Sequence, residues 1–229
     1  MKISIVVPYR DIGQSDRNRA ARWFFQRLEV LFPGAEVIKS DAGERLFSRG
    51  KSINQGVEKA TGDYIIITDS DYLISKELAK DLINDKPWTV CVDHKNYYFL
   101  DEVITNKILR MDERTFEVKE FNFVGHKVQS NYTLYGGILA MPKKNFVKFD
   151  ENFVAYGFED VAEFFCLKAK NGEEYRTPYR LYHLFHERPG SSIYMKKSYD
   201  NQAYYNMTWK PIENNKQAIL DLMKAKGMI

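Results

Sequence analysis

Short runs of apolar and β-branched residues alternate with amphipathic stretches through the first half of the chain. That is the pattern of βαβ units and of a largely parallel sheet in a layered α/β fold. Ile3 to Val7 reads as a first strand, Arg17 to about Phe32 as a helix, and Ala35 to Lys39 as a second strand. Ser48 to Ala60 reads as a second helix, in which Ile53, Val57 and Ala60 recur at helical spacing. Thr61-Gly62-Asp63 ends it, with the glycine expected to accept a left-handed turn just past the helix. Tyr64-Ile65-Ile66-Ile67-Thr68 follows as an almost unbroken apolar strand, as expected for a central strand covered on both faces.

The pattern loosens from Cys91 to Asn131, where Tyr97, Tyr98, Phe99, Phe116, Phe121 and Phe123 sit among polar residues and suggest an insertion with extra strands. Beyond it, Tyr132 to Met141 reads as a strand and Asp160 to Lys170 as a helix with Val161, Phe164 and Phe165 toward the core. Asn214 to Lys226 reads as a C-terminal helix. No repeat or linker interrupts the 229 residues, so one domain is expected.

Composition narrows the class. Hydrophobic residues make up 44% and charged residues 28%, a globular balance, and no run approaches the roughly 20 apolar residues that span a bilayer. The N-terminal apolar run stops at Pro8 and lacks the long centre of a secretory signal. Cys91 and Cys166 each lie in an apolar stretch and read as reduced thiols, so a cytoplasmic setting is expected. A net charge of +3 selects no partner, although it tolerates a polyanionic ligand.

The chemistry concentrates where the central strand runs into Asp69-Ser70-Asp71. Side chains alternate along an extended segment, so both carboxylates project to one side. In open α/β sheets ligands bind beyond the carboxyl ends of the strands. Two neighbouring acids repel unless a cation joins them, and Mg²⁺ or Mn²⁺ favours carboxylate and phosphate oxygens. Away from a strand end, the same triplet would be an ordinary solvated turn.

Val6-Val7-Pro8-Tyr9-Arg10, Phe47-Ser48-Arg49-Gly50-Lys51-Ser52-Ile53-Asn54-Gln55-Gly56 and the Asp69 to Asp71 triplet resemble family 2 and β-1,4-galactosyltransferase-type GT-A glycosyltransferases. Gly136-Gly137-Ile138-Leu139-Ala140-Met141, then Asn152-Phe153 and Tyr156-Gly157-Phe158-Glu159-Asp160, are similar to the carboxyl-terminal acceptor and catalytic region of those enzymes. The resemblance runs from Ile3 to about Pro189. It implies a Rossmann-like GT-A fold with a donor-binding half to about residue 92 and an acceptor-side extension after it.

It also implies a hexosyl transfer from a nucleotide-diphosphate sugar, a UDP-sugar first, to a saccharide or other hydroxyl acceptor, by inversion. Pro8, Tyr9 and Arg10 would line the nucleotide pocket, Asp41 would face the base, Asp69 the ribose, and Arg49 the donor diphosphate. Asp71 with His183 or His186 would hold Mn²⁺ or Mg²⁺. Asp160 would be the catalytic base and Glu159 its neighbour in acceptor binding, with Gly136, Gly137, Tyr156 and Phe158 lining the acceptor site. Where galactosyltransferases carry a Gly-Trp-Gly-type run, this chain has Tyr156-Gly157-Phe158.

Bland readings stand beside these. Glu159 and Asp160 would also suit the first turn of a helix, where the dipole favours negative charge. Trp209 and the Tyr204-Tyr205 pair fit a core edge as well as an acceptor cleft, and His94 and His126 read as structural. Two further functions are open at this stage: glycosylation of a modified base in DNA, and a non-catalytic nucleotide-sugar or carbohydrate-binding protein.

Overall fold

A computed structural model describes residues 1–11, 13, 16–92, 94–118, 123–125, 127–129, 135–155, 157–187 and 192–229. The first half runs β1 (Ile3–Pro8), α1 (Asp16–Leu31), β2 (Glu36–Ser40), α2 (Arg49–Lys59), β3 (Tyr64–Thr68), β4 (Tyr72–Leu73), α3 (Lys76–Leu82) and β5 (Thr89–Val92). The second half runs β6 (Tyr97–Leu100), α4 (Glu102–Ile108), β7 (Lys127–Gln129), β8 (Ile138–Pro142), α5 (Glu159–Asn171), β9 (Tyr175–Thr177), β10 (Leu181–His183), α6 (Ser192–Thr208) and α7 (Lys216–Ala225).

The main sheet has the order β2-β1-β3-β8-β5-β9. β1 pairs parallel with β2 and β3, and only β8 runs against the others. Alternation along the strands builds two cores. Val6, Ile65 and Ile67 pack with Ile53 and Val57 of α2 and with Phe164 and Leu167 of α5, whereas Ile5, Val7 and Ile66 pack with Phe24 and Leu28 of α1 and with Leu78 and Leu82 of α3. A central strand covered on both faces is what its continuous apolar sequence requires.

A second sheet, ordered β4-β10-β6-β7, lies in the half where the sequence pattern was irregular. Trp23 of α1 reaches into a third cluster with Leu73, Leu100, Ile104 and Tyr182, which ties that sheet to the main body. The sheet is small, and β4 has only two residues, so no periodicity marks it in the sequence. No helix among the described residues is long and apolar enough to cross a membrane.

Several boundaries differ from the sequence expectation for physical reasons. The strand expected over Tyr132 to Met141 is β8, which begins only after Gly137, at φ 87°; residues 130–134 lie outside the described residues. α6 was not foreseen, because its apolar residues do not gather on one face: Met195, Tyr199 and Met207 are exposed while Tyr205 is buried. Trp209 takes the core reading, 2% exposed with Nε1 donating to Asp150 Oδ2 at 3.1 Å. Tyr204 donates to the same oxygen at 2.7 Å. Cys166 is a buried free thiol.

Gly62 serves differently from the expected helix stop. It has no positive φ among the described glycines; instead a Cβ there would lie 2.7 Å from the Ser4 backbone nitrogen and 2.8 Å from the Lys2 carbonyl oxygen. Its N–H donates to Ser4 Oγ at 2.8 Å, so the glycine lets the chain entering β3 press against the start of β1. Gly62→Ala is therefore expected to cost about 1–3 kcal/mol by overpacking against backbone that cannot move freely. Urea unfolding measures it, and a loss below about 0.5 kcal/mol would refute this account.

Candidate active site

Asp71 leaves β3 and enters β4, which pairs antiparallel with β10 in the register Tyr72 to His183. Leu184 N donates to the Asp71 carbonyl at 2.8 Å, closing the corner. This pairing brings together residues far apart in sequence: His183 Nε2 lies 3.8 Å from Asp71 Oδ1, and His186 Nε2 lies 3.3 Å from Asp71 Oδ2. The three ligand atoms fall within 4.8 Å of one another. The His183 ring is set by Tyr72 and Phe99, with centroids at 5.6 and 5.4 Å. Neither aromatic was singled out from sequence as a support for this site, because their contacts depend on the second sheet.

The electrostatics of the cluster are those of an acid seeking a cation. Asp71 is 3% exposed, and its Oδ1 has no hydrogen-bond partner among the described residues. Burial alone would raise the carboxyl, but the charge of His183, the hydrogen bond from His186 and the charge of Arg17 hold it well below the usual carboxylate range. Burial lowers His183 against the opposing pull of Asp71. His186 also feels burial, yet its contact with Asp71 raises it above the ordinary imidazole value. A buried, unsatisfied carboxylate oxygen facing two imidazoles is a donor set that suits a divalent ion.

The carboxyl ends of β1 and β2 bring Arg10 and Asp41 together. Arg10 forks onto Asp41 through Nε and Nη2, both at 2.7 Å, and donates to the Glu44 carbonyl at 2.8 Å. Its guanidinium lies 5.5 Å from the Phe47 ring centroid, a neighbour to which the sequence gave no role. Pro8 ends β1 opposite Ser40, and Tyr9 N donates to the Ser40 carbonyl at 2.9 Å. Tyr9 packs edge-on against Phe25 at 5.4 Å.

Asp69 diverges from Asp71 in its partner. Arg49, 8% exposed at the start of α2, donates through Nε to Asp69 Oδ1 at 2.9 Å and places Nη1 4.0 Å from Glu159 Oε1. Arg49 thus faces protein carboxylates on both sides of the cleft. Burial works against its charge, but Asp69, Glu159 and Asp160 together raise its pKa further.

Glu159 and Asp160 open α5. Phe158 before them is held at φ 69°, a left-handed conformation rare for an aromatic residue, with its ring 5.6 Å from Tyr205. Glu159 Oε2 accepts from Gly157 N at 2.7 Å, and Asp160 Oδ1 accepts from Val161 N at 2.9 Å. Burial and the Asp160 charge push Glu159 up to about 7, against the pull of Arg49. Burial also raises Asp160, with Arg49 opposing. Gly136 backs directly onto this acid, since a Cβ there would stand 2.9 Å from Asp160 Cβ. Tyr156 and His126 lie outside the described residues.

Against known proteins, the family model described as Glycosyl transferase family 2 matches residues 26–133. The match spans a little under half of the 229 residues, and over that stretch the chain is similar to family 2 glycosyltransferases. Among solved structures, a mutant of β-1,4-galactosyltransferase 7 from Drosophila in complex with manganese, UDP-Gal and xylobiose aligns at TM-score 0.50 and 17% identity, covering 82% of this chain and 71% of that chain. Glucosyl-3-phosphoglycerate synthase from Mycobacterium tuberculosis with Mn²⁺, UDP-glucose and phosphoglyceric acid aligns at TM-score 0.51 and 11% identity, covering 88% and 77%. No curated protein matches. At these identities the structural likeness establishes the GT-A fold alone.

The opposite shifts of the two histidines give a direct check on the cluster. In metal-free protein, His186 is expected to titrate above, and His183 below, the ordinary 6.5, read from imidazole proton resonances. Asp71→Asn removes the shared carboxylate and should lower His186 toward that ordinary value. Two histidines titrating together, unmoved by the substitution, would contradict the geometry.

Proposed function

We propose that this protein is a metal-dependent, inverting GT-A glycosyltransferase that moves a hexosyl residue from a UDP-sugar to the hydroxyl of a saccharide acceptor. The observation that carries the reading is the convergence of Asp71, His183 and His186 beyond the carboxyl end of β3, with Asp71 Oδ1 buried and unpartnered. These three residues would hold the divalent ion, Mn²⁺ or Mg²⁺. When bound there, such an ion acts as a Lewis acid that offsets the charge developing on the leaving diphosphate.

The protein's own groups divide the remaining work. Pro8 and Tyr9 end β1 where the nucleotide would lie, and Arg10 braces Asp41 with both donors, so that carboxylate keeps one orientation toward the base. Asp69 stays on the ribose side of the pair. Across the cleft, Asp160 takes the proton of the acceptor hydroxyl as its oxygen bonds to the anomeric carbon. The bond from that carbon to the diphosphate oxygen breaks, and its electron pair leaves with the phosphate. One displacement inverts the anomeric centre.

The raised position of Asp160 moves a weak base toward the working pH, where general-base catalysis is most efficient. Glu159 stands beside it to orient the acceptor, and Gly136, Gly137 and Phe158 form the neighbouring wall. The solved structures of similar fold support this choice of ligands: one holds manganese, UDP-Gal and xylobiose, and another Mn²⁺, UDP-glucose and phosphoglyceric acid. DNA as the acceptor gains no support from them.

Thermal unfolding with Mn²⁺ and UDP tests the reading. Ligand at about a hundredfold above its Kd stabilises the folded state by ~2.7 kcal/mol, and Asp71→Asn is expected to lose that gain. Asp160→Asn should keep it while lowering transfer from UDP-glucose or UDP-galactose to a saccharide by about 10²- to 10⁴-fold. Wild-type transfer by Asp160→Asn would remove the base, and full Mn²⁺–UDP stabilisation of Asp71→Asn would remove the metal site.

A further inference from the structure

Arg49 is held between carboxylates of this chain. Its side chain is 10% exposed, its Nε is committed to Asp69, and its Nη1 is turned to Glu159. One α-helical turn beyond Glu159 along α5, Glu163 is 1% exposed, and neither carboxyl oxygen has a hydrogen-bond partner among the described residues. Glu159, Asp160 and Glu163 all feel this one guanidinium, while Lys170 and Asp150 act further along on Glu163. A buried carboxylate is costly without a cation, and both Glu159 and Glu163 are buried.

Burial raises all three acids of α5 against the pull of the guanidinium. Glu163 has no contact with it and is raised well above the ordinary value by burial. Asp160, backed by Gly136 and bonded to Val161 N, is the acid that the remaining positive charge helps to keep ionised.

We infer that Arg49 is the positioning cation of this site, tying the donor-side Asp69 to the acceptor-side Glu159–Asp160 pair and holding Asp160 ready as a base. Its contacts are the protein's own carboxylates. The inference rests on the reading of Asp160 as base. Its test uses neither metal nor nucleotide, so it can fail while the metal site stands.

The sign follows from linkage. Carboxyls raised in the folded state contribute stability below their unfolded values, and that contribution is lost as pH rises through the folded ones. Removing Arg49 raises them further, so the loss deepens with pH. In metal-free protein, the Tm deficit of Arg49→Met relative to wild type is expected to be about twofold or more larger at about pH 8 than at about pH 5.

Arg49→Lys should recover much of the deficit at the higher pH, and adding Glu159→Gln to Arg49→Met should shrink its growth. Equal deficits at both pH values, or no effect of Glu159→Gln, would overturn the inference and leave Arg49 as packing alone. Should Arg49→Met not fold, Arg49→Lys and Glu159→Gln supply the same test as a double-mutant cycle. Coupled Tm shifts support the inference, and additive ones overturn it.

Discussion

Buried negative charge is the constraint around which this molecule is organised. Asp71 at 3% exposure and Glu159 at 4% are almost closed off from solvent, where an unpaired carboxylate costs several kcal/mol. The fold answers in two ways. At β4 and β10 two imidazoles converge on Asp71, and one of its oxygens has no hydrogen-bond partner among the described residues. At the start of α5 a guanidinium from α2 reaches between Asp69 and Glu159. The two arrangements meet at the Asp69 to Asp71 corner.

That corner is rigid because of pairing at a distance. β3 is covered on both faces, and β4 is clamped to β10 by the Tyr72 to His183 register and by Leu184 N on the Asp71 carbonyl. Glu159 and Asp160 are held differently. α5 starts from a left-handed Phe158, whose cost is offset by its packing against Tyr205 of α6. Backbone strain at such a point persists only where surrounding contacts fix it, and here it aims the first turn of α5 at Arg49.

Much of this was legible in the sequence wherever one element decides the outcome. The Tyr64 to Thr68 run gave its strand with both boundaries, and the Ile53, Val57 and Ala60 spacing gave α2 to within a residue. Asp69, Asp71 and both histidines were marked from their types and from the resemblance. What could not be read were relations between distant segments. The second sheet has strands of two to four residues, too short for periodicity to show. Arg49 was expected beside the donor diphosphate, and nothing local reveals that Glu159, 110 positions later, also approaches it. Gly62 was taken for a helix stop because the backbone it touches belongs to β1.

The account stands on a divalent ion held by Asp71 and the two histidines and shared with a nucleotide diphosphate. Anomalous diffraction from crystals grown with Mn²⁺ and UDP measures this directly. The expected result is one manganese peak within bonding distance of Asp71 Oδ1 and at least one of His183 and His186, in contact with the UDP phosphates. A manganese–UDP complex bound elsewhere, with Asp71 and both histidines remote from the metal, would contradict it.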